Sequence, residues 1–126
     1  MIKELIRQGL RFALVGLVNT AVGLISIYSI LYFTNAGPFI ANGIGYAIGF
    51  SVSFILNRSW TFEHEGAARH VLPRYFLVVA VAYLCNFAVV YYVILFLEWN
   101  AYLAQPAGIV VYSSITFIGS KVFVFK

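Results

Sequence analysis

Residues 41–62 read ANGIGYAIGFSVSFILNRSWTF. The stretch carries no charge until Arg58 and closes on the aromatics Trp60 and Phe62. Ala41, Gly45, Gly49, Ser53 and Asn57 recur every four residues. On a helix they share one face, and that face has almost no bulk. A second backbone can approach closely there, which is how helices pack in lipid, where no hydrophobic drive pushes them together. Gly45 and Gly49, with Gly108 further on, are the predicted packing glycines.

The stretch recurs. Residues 104–125 read AQPAGIVVYSSITFIGSKVFVF, sixty-three positions later. Ala41, Gly45, Ser51, Phe54, Ile55 and Phe62 meet Ala104, Gly108, Ser114, Phe117, Ile118 and Phe125, and Arg58 meets Lys121. The same offset carries Arg11, Leu14, Val15, Val18, Tyr28 and Phe33 onto Arg74, Leu77, Val78, Val81, Tyr91 and Phe96. Register holds across whole segments without a gap, the pattern of a duplicated helical hairpin. The repeats are expected over about 11–62 and 74–125 of a single domain, 1–126.

Composition sets the solvent. Of 126 residues, 63% are hydrophobic and 10% charged, with mean hydropathy +0.94. A soluble domain carries about 25% charged residues. This chain cannot solvate a globular surface, so it reads as an integral, all-α membrane protein. Cys85 is the only cysteine, which excludes an internal disulfide and a cysteine-built metal site. The net charge of +4 points to membrane topology, not to nucleic acid.

Four transmembrane helices are predicted, over about 12–34, 40–58, 75–97 and 102–121. Ahead of them, residues 1–11 read as a short basic amphipathic stretch. Residues 67–72 read as a short surface helix, with Pro73 starting the next element. All eight Lys and Arg lie in the N-terminal stretch, the central loop or the C-terminal end. The two short turns, at about 34–39 and 98–100, carry none. The positive-inside rule then places both termini and the central loop in the cytoplasm. The two tandem hairpins enter in parallel orientation, and Trp60 and Trp99 fall at opposite interfaces.

Catalytic machinery is not visible: there is no phosphate-binding loop, metal cluster or nucleophile–base set, and no cofactor is called for. The chain therefore does not read as an enzyme. What stands out is a basic set repeated by the duplication. Arg11 and Arg74 open the odd helices, while Arg58 and Lys121 close the even ones. In a compact bundle they would surround one anionic group, and guanidinium forks suit phosphate. The bland alternative is a ring of snorkelling topology anchors. Uncharged polar groups, among them Asn19, Ser53, Asn57, Asn86 and Thr116, suit either a polar groove or hydrogen bonds between helices.

Together these residues resemble the GtrA-like family. Arg11-Phe12, Val15-Gly16 and Asn19-Thr20 open the pattern. Ser53-Phe54 and the block Asn57-Arg58-Ser59-Trp60-Thr61-Phe62 continue it, and a basic-aromatic ending closes it. Lys121 and Phe123 stand where the pattern would have arginine and tryptophan. The resemblance implies four helices in a bacterial inner membrane and a role in cell-surface polysaccharide modification. It implies flipping of a monosaccharide linked to a polyprenyl phosphate such as undecaprenyl phosphate. A membrane glycosyltransferase is the implied partner, and the narrow bundle suggests a homo-oligomer, most simply a dimer. A rival reading makes the chain a non-transporting anchor that recruits the glycosyltransferase through residues 63–74.

Overall fold

The computed structural model describes residues Met1 to Lys126. Every regular element is helical. Four helices are long and apolar enough to cross a membrane. They are α1 (Ile2–Phe33), α2 (Gly37–Leu56), α3 (Ala68–Leu95) and α4 (Ala101–Gly119). The chain divides into two compact units, Met1–Glu65 and Gly66–Lys126. The first is the α1–α2 hairpin and the second the α3–α4 hairpin.

Each even helix ends in a π turn, at Asn57–Thr61 after α2 and at Ser120–Val124 after α4. The wider turn is closed by N–H groups five residues on: Phe62 donates to the Asn57 carbonyl at 2.9 Å and Phe125 to the Ser120 carbonyl at 2.8 Å. Equivalent positions are buried in the two hairpins. Ala41 and Ala104 are fully buried, as are Asn57 and Ser120, and Val15 and Val78 also lie inside.

The helices begin earlier than their apolar runs. α1 starts at Ile2, so the basic stretch before Phe12 belongs to the same 32-residue helix. Glu4, Arg7 and Gln8 join across turns on its surface, and no proline breaks the stretch. Likewise α3 starts at Ala68 and runs through Pro73. The ring sits in the second turn and removes one N–H donor without ending the helix.

The two short connections use local chemistry. Thr34 is extended, and its hydroxyl donates to the Ile30 carbonyl and accepts from the Ala36 N–H. Gly37 follows at φ 81°, a conformation natural to glycine, and Pro38 opens α2. In the other connection Asn100 caps α4, its side chain accepting from the Tyr102 N–H at 2.8 Å.

Close approach of the backbones is built on glycine. In the first hairpin Gly23 faces Gly45: a Cβ on Gly45 would lie 3.1 Å from the Gly23 carbonyl and would overlap Ile27. One turn further, a Cβ on Gly49 would collide with the Asn19 amide oxygen. In the second hairpin Gly108 packs against Asn86 and Val90, and a Cβ there would stand 2.6 Å from Val90 Cγ2.

Candidate functional site

The polar and basic side chains of the first hairpin gather at the end where α1 begins and α2 closes. Helical spacing puts Ser53, Asn57 and Thr61 one above another. Asn57 donates to the Ser53 hydroxyl at 3.2 Å, and the Thr61 hydroxyl donates to the Asn57 amide oxygen at 2.9 Å. Asn57 and Thr61 are buried and Ser53 is half-buried. The buried Asn57 and Thr61 thus find partners in one another and in Ser53, the condition under which buried polarity is tolerated.

At the rim the π turn presents its backbone and ring to α1. Arg11 donates to the Trp60 carbonyl at 2.6 Å and to the Glu63 carboxylate. Its guanidinium also lies over the Trp60 ring, 5.2 Å from the centroid, a cation–π contact. Arg7 approaches the other oxygen of Glu63 at 3.6 Å. Arg58 lies on the same π turn, half-buried. Arg11 is therefore held in place by a carbonyl, a carboxylate and an aromatic face.

The second hairpin has a similar arrangement with a plainer lining. Arg74 lies over the Phe123 ring at 5.6 Å, as Arg11 lies over Trp60. Lys121 lies on the π turn in the position of Arg58. Thr116 is buried and donates to the Tyr112 carbonyl at 2.8 Å. Where the first hairpin has Asn57 and Thr61, the second has Ser120 and Val124. The Ser120 hydroxyl is buried without a hydrogen-bond partner.

Asn19 and Asn86 sit deeper along the odd helices, half-buried, each against a glycine of the facing helix: Gly49 for Asn19 and Gly108 for Asn86. They therefore carry both polarity and close packing. Glu63 is the site residue that sequence reasoning missed. It was legible only as a loop acid, because nothing in its spacing shows that the π turn aims it at Arg11.

Comparison with known sequence families returns the GtrA/DPMS transmembrane domain over residues 11–125. The match runs from the arginine that meets the first π turn to the phenylalanine that closes the second. The chain belongs to the GtrA/DPMS transmembrane-domain family. Comparison with curated proteins gave no match. Membership makes this a multi-pass membrane protein of a family tied to the handling of lipid-linked sugars.

Proposed function

We propose that the protein carries a polyprenyl-phosphate-linked monosaccharide across a bacterial inner membrane, for addition to cell-surface polysaccharide. One observation supports this above the others. At the end of the first hairpin, Arg11 already binds an anionic oxygen group beside an aromatic ring and a buried polar ladder. Such a corner suits a phosphate followed by a sugar. In this reading the two hairpins are repeats of one ancestral unit, entering in parallel with both termini cytoplasmic. Arg11 and Arg58 take the phosphate in one hairpin, and Arg74 and Lys121 in the other.

The physical problem is the head group, since the tail never leaves lipid. A charge at the centre of the bilayer costs at least about 3 kcal/mol on insertion scales. Polar side chains lower that barrier by replacing water one hydrogen bond at a time. Asn19, Ser53 and Asn57 supply them in the first hairpin, and Asn86 and Thr116 in the second. The lipid's own gradient, kept up by a glycosyltransferase on one side and consumption on the other, gives the direction.

The test is transport by the purified protein in liposomes holding a polyprenyl-phosphate sugar, read as the rate at which the head group becomes accessible across the bilayer. Wild-type protein should accelerate this rate. Arg58→Ala should lower the accelerated rate about ten-fold, the loss of one charge-assisted contact of roughly 1.4 kcal/mol. No acceleration with any of several sugars would sink the carrier reading in favour of an anchor that recruits the glycosyltransferase.

A further inference from the structure

The first hairpin contains an anion site whose occupant comes from the chain itself. One Glu63 oxygen accepts from Arg11, and the other lies 3.6 Å from Arg7. Arg7 and Arg11 are one turn apart on α1, so both guanidinium groups reach the same side of the hairpin. The same Arg7 nitrogen is held by Glu4 at 2.8 Å, and Arg11 by the Trp60 carbonyl and ring. One carboxylate thus bridges two positioned guanidinium groups.

The backbone is bent to deliver that carboxylate. Glu63 has φ 48°, in the left-handed region, which costs a residue with a Cβ on the order of 1 kcal/mol. Two bonds clamp it there: Phe62 N–H to the Asn57 carbonyl, and His64 N–H to the Arg58 carbonyl at 2.8 Å. Glycine or asparagine would make the same exit with less strain. In the second hairpin the corresponding position, sixty-three residues on, is Lys126, so Arg74 meets no acid from that place.

We propose that Arg7, Arg11 and Trp60 form a phosphate site and that Glu63 is its resident counter-ion, displaced when a phosphate head group enters. The choice of phosphate rests on the carrier reading above; the occupancy of the site by an anion does not. A phosphate offers more charge and more acceptor oxygens than a carboxylate, so it wins the paired guanidinium groups. Glu63, 52% exposed, then swings into water, where its charge is readily solvated. The counter-ion also sets specificity. An uncharged lipid cannot displace a carboxylate from two arginines, so polyprenols and neutral glycolipids are turned away.

The experiment uses the full chain in maltoside micelles, which contain no phosphate. Trp60 and Trp99 are its two tryptophans, so Trp99→Phe leaves Trp60 as the sole reporter. Its emission is followed during titration with a polyprenyl phosphate, the matching polyprenol and inorganic phosphate. The polyprenyl phosphate should give a saturable change and the polyprenol none. Glu63→Gln should tighten binding about five-fold, the scale of an exposed ion pair. Glu63→Gly should do the same while easing the backbone, and Arg7→Gln should weaken binding by a similar factor. A response to inorganic phosphate as strong as to the lipid would support the site with free phosphate as its ligand. Unchanged affinity in both Glu63 variants, or no response to any phosphate, would overturn the proposal. Absence of transport in liposomes with the five-fold tightening intact would remove the carrier reading and leave this site standing.

Discussion

Gly45→Val should unfold the first hairpin at a markedly lower temperature than wild type. The reason is contact with backbone, not merely with side chains. A Cβ at position 45 overlaps Ile27 and stands 3.1 Å from the Gly23 carbonyl. Ile27 is β-branched, so in a helix it has one favoured rotamer and cannot swing aside. Its helix must therefore move away, and with it the stripe that brings α1 and α2 together. Overpacking of this kind costs about 3 kcal/mol, and the valine adds two methyl groups beyond the Cβ. In detergent the melting temperature should fall on the order of 10 °C. Gly43→Val is the control, because a Cβ at Gly43 meets nothing within 4 Å. Equal losses in the two variants would mean that loss of glycine as such, and not close approach, governs stability.

That contrast marks what the sequence made legible. Gly45 and Gly43 are two residues apart in the same apolar run, yet the four-residue recurrence of small side chains singles out Gly45. Periodicity on a helix is a one-dimensional signal, and so it can be read without coordinates. The four spanning helices were legible for the same reason: long runs of apolar side chains leave few alternatives in lipid. The ends were less so. The charges of residues 3–11 suggested a separate surface stretch, but helical hydrogen bonding does not stop where hydrophobicity does, and α1 continues to Ile2. Pro73 suggested a start, but a proline in the second turn costs a single donor, and α3 accommodates it.

The site followed the same division. Arg11 and Arg74 stood out because they match at an offset of sixty-three residues, and each lies over the aromatic ring of its own π turn. The π turns themselves had no signature in the residues. A shift from four-residue to five-residue bonding depends on how the helix end is packed. The turn decides where Trp60 and Glu63 point, so their meeting with Arg11 was out of reach of spacing arguments. Asn57 was legible as a polar residue needing a partner, but Thr61, its donor, lay past the expected end of the helix.

Asn57 and Ser120 should respond oppositely to alanine, although they hold equivalent places in the two hairpins. Both are buried at the start of a π turn. Asn57 has its oxygen bonded to Thr61 and its nitrogen to Ser53. Asn57→Ala removes both bonds and takes the acceptor from the buried Thr61 hydroxyl, at a cost of about 2 kcal/mol. The Ser120 hydroxyl is buried with no partner, so its desolvation is uncompensated in the folded state. Ser120→Ala discards that liability and leaves only a small void, for a net change between neutral and about 1 kcal/mol of stabilisation. Thermal unfolding of the two variants in the same detergent separates the cases. A melting temperature well below wild type for Asn57→Ala, with Ser120→Ala at or above it, would assign the stabilising polar ladder to the first hairpin. Equal destabilisation by both would instead mean that Ser120 is bonded in the membrane-embedded protein and that the two π turns are stabilised alike. Under the carrier proposal the difference also bears on transport, because only a ladder of mutually bonded groups has partners to lend to a passing sugar hydroxyl. A lone buried serine has a single hydroxyl to offer, and in the second hairpin Val124 has taken the place of the group that would relay it.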